Sequence, residues 1–132
     1  MGADDAAAPG PTFEVRRVYD DEGEDRGYRV LVDRLWPRGV KKDAVALDEW
    51  LKEAAPSTEL RRWYGHDPAR FEEFARRYRD ELGRPPASEA ARHLTELGRD
   101  RRVVLLTATR DVERSGARVL RDLLVDAAPG RG

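Results

Sequence analysis

The segment Asp33-Arg34-Leu35-Trp36-Pro37-Arg38-Gly39 concentrates more chemical capability than any other stretch of this sequence. Two arginines flank a Trp-Pro pair. Guanidinium groups hold phosphate or carboxylate through paired hydrogen bonds, and an indole face accepts a planar ring or a cation. Arg34, Trp36 and Arg38 are therefore candidate ligand-binding residues, with Pro37 as the turn former. The same residues have a structural use: Trp36 can close the edge of the core while the arginines pair with acids such as Glu49 or Glu53. Asp33 can act as a general base or hold an arginine in place. A second titratable group comes from the turn Gly65-His66-Asp67-Pro68. Histidine is the side chain that changes charge around neutral pH, so His66 is a candidate general acid or base, while Asp67 reads as a helix cap. The third cluster is Thr107 to Asp111. Thr107, Thr109 and the cation Arg110 stand just ahead of a helix start, where free backbone amides attract anions. That loop has no glycine, so it is neither a P-loop nor a dinucleotide fingerprint. Lys52 and Ser57 could line the same site, or could be an exposed lysine and a helix cap.

These groups act together only if the fold gathers them. Residues 13–19 (FEVRRVY) and 28–33 (YRVLVD) carry the β-branched and aromatic content of strands, with the polar DDEGEDRG run as the turn between them. The uninterrupted run Val103–Leu106 is the signature of a strand buried on both faces, as in a parallel sheet. Asp67 caps and Pro68 opens a helix whose stripe is Phe71, Phe74, Ala75, Tyr78 and Leu82, stopped by Gly83. Ser88 can cap a second helix with Ala91, Leu94 and Leu97 inward. Asp111 can cap a third with Val112, Val119, Leu120, Leu123 and Leu124 buried and Gly116 as a weak point. Residues 57–65 form a short helix between a Ser57 or Thr58 cap and Gly65. Residues 47–57 fit a helix through Leu47, Trp50, Leu51 and Ala54, or a strand through Trp50–Lys52. His93 reads as a surface residue.

Strands followed by helices predict a small α/β layered fold with a mostly parallel sheet flanked by helices. In such sheets ligands sit outside the carboxyl ends of the strands. Asp33 and Arg34 leave one carboxyl end and Thr107 to Asp111 another, so parallel strands would bring the clusters to one edge.

Composition narrows the chemistry. The 132 residues suit one domain: residues 12–125, between a disordered tail at 1–11 and a frayed tail at 126–132. There is no cysteine, which excludes thiolate nucleophiles, disulfides and cysteine-built metal sites, and only two histidines. Twenty-five basic residues against 26 acidic ones leave a net charge of −1. That balance argues against non-specific capture of nucleic acid. Charge is nonetheless uneven: residues 28–42 hold five bases and one acid, and 99–118 hold six bases and three acids. No run approaches the roughly 18 apolar residues of a membrane span, and no secretory h-region is present, so a cytoplasmic protein is expected.

Beyond these general features, the segments 32–39, Ala55-Pro56-Ser57, Trp63-Tyr64-Gly65-His66-Asp67-Pro68 and 103–111 resemble the YeaO-like branch of the domain of unknown function 488 family, over about Tyr19 to Leu124. The resemblance implies a compact α/β fold in a cytoplasmic bacterial or archaeal protein, and no agreed reaction. Relatives in this branch usually carry Tyr where this chain has Thr107, and Glu-His-Asn where it has Glu113-Arg114-Ser115. More distant ones carry a cysteine that this chain lacks.

The resulting expectation is a protein that binds an anionic, phosphate- or nucleotide-like small molecule at the carboxyl edge of its sheet. Arg34, Trp36, Arg38, Thr107 and Arg110 would bind it. Asp33 and His66 would move protons if the protein is a metal-free hydrolase or transferase. No cofactor and no metal are called for. The alternatives are a nucleic-acid-binding or regulatory module and a partner-binding protein without catalysis. Oligomeric state cannot be read from the sequence.

Overall fold

The computed structural model describes residues 12–21 and 27–127. Four strands form its sheet: β1 (Phe13–Arg17), β2 (Tyr28–Leu31), β3 (Glu49–Trp50) and β4 (Val103–Thr107). All pair in parallel, in the order β1-β4-β2-β3. The last strand in the chain therefore sits inside the sheet, and this explains its composition. β4 has neighbours on both sides and layers on both faces, and all five of its residues are buried.

The two faces are covered differently. Phe13, Val30, Val103 and Leu105 join the core formed by the helices α1 (Thr58–Tyr64), α2 (Phe71–Leu82), α3 (Ala87–Leu97) and α4 (Gly116–Ala127). In α2 the buried residues are Phe74, Ala75, Tyr78 and Leu82, the stripe expected of a helix with one inward face. Tyr64 at the end of α1 stacks on Phe74, ring centroids 4.2 Å apart. On the opposite face, Val18, Leu31, Val104 and Leu106 are covered by Trp36, Val45, Leu47 and Trp50. This cover is the irregular 32–48 connection, which we call the strap. Trp36 and Trp50 meet edge to face at 5.3 Å. Polar residues also enter this face. Arg29 is only 4% exposed and pairs with the fully buried Asp21, Nε to Oδ2 at 2.7 Å, which also accepts from Arg16.

Several local expectations need correcting. β1 ends at Arg17, because Val18 folds beneath the sheet in a 3₁₀ turn over Val18–Asp20. β2 ends at Leu31 and β4 reaches Thr107. The 47–57 ambiguity resolves into both local forms. Glu49–Trp50 is a strand beside β2, held by Leu51 N–H to Leu31 O at 2.9 Å, and Lys52–Ala54 is a 3₁₀ turn. Pro68–Arg70 is likewise a 3₁₀ turn ahead of α2, capped as expected by Asp67, which accepts from the Ala69 amide. Ser88 does not cap α3: the helix starts at Ala87, and Ser88 N–H already donates to Arg84 O. Asp111 does not cap α4 either. It heads a separate 3₁₀ turn, Val112–Arg114, and Ser115 is the cap, its Oγ accepting from Arg118 N–H at 3.1 Å. Val112 is thus outside the helix, and Gly116 opens α4 instead of interrupting it. α4 runs through Ala127, so Asp126 belongs to it. The tail at 1–11, the end of the chain from 128 and turn residues 22–26 lie outside the described residues. Among the described residues no helix is long and apolar enough to cross a membrane.

Candidate functional site

Where β2 ends, the chain turns so that the Asp33 side chain reaches the end of β4. Its Oδ1 accepts from the Thr107 hydroxyl and its Oδ2 from the Ala108 amide, both at 2.7 Å. The Asp33 carbonyl accepts from the Trp50 indole N–H at 2.8 Å. One residue therefore ties together the carboxyl ends of β2 and β4 and the β3 side chain beside them. Burial pushes the Asp33 carboxyl above its ordinary range. The Ala108 and Thr107 hydrogen bonds, and more weakly the fields of Arg61 and His66, pull it back.

Arg34 continues the same device. Its Nε donates to Pro56 O at 3.0 Å and its terminal nitrogen to Ala55 O at 3.2 Å, fastening the start of the strap to the turn before α1. Ser57 caps α1, and its amide and hydroxyl both bond the Glu81 carboxylate of α2. Trp36 donates its indole N–H to Val40 O at 2.6 Å, closing the strap on itself.

Between the strap, α1 and the start of α4 lies a cavity of about 430 Å³, within the range of small-molecule sites. Asp33, Arg34, Arg38, Arg61 and His66 are its ionisable lining, and Trp36, Tyr64 and Pro56 contribute to the apolar wall. Thr109 and the first residues of α4, Ser115 to Ala117, complete it. Arg38 and Arg61 are exposed, and neither side chain forms an ion pair or hydrogen bond among the described residues, although the field of Arg61 reaches Asp33.

Of the residues expected from sequence, Asp33, Arg34, Trp36, Arg38 and His66 line this one cavity. Thr107 does not reach it: it is 1% exposed and acts through its bond to Asp33. Arg110 is exposed and lies outside the lining, so it does not converge with Arg34 and Arg38. The physical reason is that Thr109 turns inward at the end of β4 while the next residue turns out to solvent. Neither Lys52 nor Ser57 lines the cavity: Lys52 sits over the Trp50 ring and Ser57 is consumed as a cap. Glu49, offered as an arginine partner, instead bonds Tyr28 and His93. Sequence reasoning missed Arg61, Tyr64, Tyr19 and the Ser115 cap. A signal for Arg61 existed: it is three residues from Tyr64 and next to Leu60, so it borders the buried stripe of α1.

His66 carries a backbone signal of its own. It follows Gly65, the left-handed cap of α1 at φ 55°, and is itself at φ 58°. That region costs a residue with a Cβ about 1 kcal/mol. The imidazole makes no hydrogen bond among the described residues, and its nearest ring, Tyr64, is 6.1 Å away. A strained histidine at the cavity wall thus has only the tilted Tyr64 ring pair to hold it.

Residues 12–131 match the family described as the inactive DUF488-N3 subclade. The chain belongs to that family. An uncharacterized protein of Mycobacterium tuberculosis, Rv3073c, is 53% identical over 110 residues, covering 83% of this chain and 91% of its own. The uncharacterized protein YeaO of Escherichia coli is 39% identical over 112 residues, covering 85% of this chain and 96% of its own. This member of the DUF488 family is therefore YeaO-like, as its Asp33–Gly39 and Trp63–Pro68 segments imply. No solved structure matches the chain. Among the described residues of this DUF488 protein, no three His, Asp or Glu side chains cluster as metal ligands would.

Two outcomes are expected. Because burial raises the Asp33 carboxyl in the folded state, its favourable contribution is full below the ordinary carboxylate range and is lost as pH rises through the folded value. Asp33→Asn keeps an acceptor for Ala108 and has no charge to bury. Its stability relative to wild type should therefore improve between about pH 3 and pH 7, while Asp33→Ala should lose about 2 kcal/mol through the unsatisfied donors. Urea midpoints across that range test this, and a relative loss by Asp33→Asn with rising pH would contradict it. His66→Gly should leave the urea midpoint unchanged or raise stability by up to about 1 kcal/mol. A clear fall would assign His66 to packing.

Proposed function

We propose that this protein binds an anionic small molecule, phosphate- or nucleotide-like, in the cavity at the carboxyl edge of its sheet, without transforming it. One observation carries the reading: Arg38 and Arg61, neither in an ion pair among the described residues, line a cavity with Arg34, and its sole lining carboxylate, Asp33, has both oxygens engaged in hydrogen bonds and feels Arg61 only through its field. A concavity lined mainly by charge of one sign focuses the field and raises the local concentration of counter-ions. Arg34 adds positive potential although its hydrogen bonds go to Ala55 and Pro56.

A catalytic reading would use Asp33 and His66. The inward hydrogen bonds of Asp33 fit a positioning residue better than a base, and His66 alone is a thin constellation for hydrolysis or transfer. The family's description as inactive agrees with binding without turnover. Duplex nucleic acid is a poorer fit, because the surface arginine runs are neutralised locally. Arg76 and Arg77 pair with Glu73, and Arg118 with Glu113 and Asp122. A cytoplasmic setting, where phosphorylated metabolites are held, suits this reading.

A thermal-shift screen of phosphate, nucleotides, sugar phosphates and organic acids tests the proposal. A ligand at about 100 times its dissociation constant should add about 2.7 kcal/mol, a rise of several degrees for a domain this size. The rise should vanish in Arg38→Ala and Arg61→Ala, and the ligand should be recovered unchanged after incubation. A flat screen on well-folded protein, or a shift indifferent to both substitutions, would refute the site.

A further inference from the structure

Among the described residues the exposed large hydrophobic side chains are Tyr19, at 44% exposure, and Leu35, at 60%. Both line the same cavity. Isolated exposed apolar residues need no explanation, but convergence on a cationic concavity does. Tyr19 is also held in place. Its hydroxyl donates to the Arg38 carbonyl at 2.9 Å, and the Arg17 guanidinium stands over its ring at 4.6 Å from the centroid. An aromatic ring fixed through its hydroxyl and by a cation, yet not buried in either core cluster, is preorganised to meet something planar.

The cavity lining therefore joins two kinds of group: the guanidinium groups of Arg34, Arg38 and Arg61, and the exposed side chains of Tyr19 and Leu35, with Tyr19 bonded to the Arg38 backbone. An inorganic ion would leave those apolar side chains wet.

We infer that the ligand is an ester of phosphate or a similar anion with a flat apolar group, its anionic head held by the arginines of the cavity and its ring against the exposed Tyr19 and Leu35 side chains. This rests on the anion-binding reading above and adds the class and orientation of the ligand. The ring could be a simple aryl group or the base of a nucleotide, since both present an apolar face of the same kind.

Calorimetric titration of the full chain with four anions separates the possibilities: inorganic phosphate, ribose 5-phosphate, phenyl phosphate and adenosine 5′-monophosphate. Phenyl phosphate or the nucleotide should bind at least about tenfold more tightly than the two anions without a ring, the gain expected for burying one ring face. The double substitution Tyr19→Ser with Leu35→Asn should abolish that advantage in protein whose circular dichroism matches wild type. A nucleotide preference over phenyl phosphate would assign the ring to a base, and equal affinity would assign it to any aryl group. Equal binding of all four anions, or an advantage that survives the double substitution, would overturn this inference and leave the anion site standing. Absence of binding by all four would overturn both.

Discussion

The Asp33 carboxylate is the constraint on which the site depends. β4 is the last strand in the chain and the second in the sheet, so its carboxyl end must be joined to segments made some 70 residues earlier. On the β2 side the backbone bonds among the described residues end with Val32 N–H to Leu106 O at 3.1 Å. Beyond them Asp33 adds two side-chain bonds, to the Thr107 hydroxyl and the Ala108 amide, and its own carbonyl receives Trp50. A buried carboxylate is expensive unless its oxygens are satisfied, and these are. The same bonds that offset its burial fix the direction in which the chain leaves β2. They therefore fix where Arg34, Trp36 and Arg38 stand.

The cavity is a consequence of the asymmetry between the two sheet faces. Helices cover one face and the strap covers the other, and the two coverings meet at the carboxyl edge without a shared element to fill the seam. Arg34 bridges the seam by donating to the carbonyls of Ala55 and Pro56. Gly116, at the start of α4, approaches closely from the helical side: a Cβ there would lie 3.1 Å from Pro56 Cγ. Tyr64 anchors the loop ahead of α4 through its hydroxyl, which donates to Arg114 O at 2.7 Å. The walls are thus tied to one another at several points, which suits a preformed binding site better than a hinge.

Features governed by neighbours in sequence were legible without coordinates. The Phe74–Tyr78 stripe, the Ser57 and Asp67 caps, the Gly65 stop and the buried β4 run all follow from periodicity or local hydrogen bonding. The placing of Asp33 and Arg34 at the carboxyl edge also follows once parallel strands are inferred, whereas no strand argument brings His66 there. What escaped depends on tertiary choice. Asp111 and Ser115 are equally good caps in isolation, and the Tyr64 anchor on Arg114 accompanies the choice of the later one. Arg61 sits beside Arg62 in a charged helix, and only the burial of Leu60 and Tyr64 turns it toward the cavity. Arg110 shows the converse: adjacency to Thr109 put it at the right edge, and one residue of chain direction carried it out to solvent.

The most direct test is a proton–nitrogen NMR titration of the protein with inorganic phosphate, because it reads location without a variant. The account predicts saturable shifts concentrated at the amides of Arg61, His66, Ala108 and the Ser115–Ala117 turn, with α3 and the far end of the sheet unmoved. Shifts scattered over the arginine runs of α2, or no saturable shift at all, would contradict it.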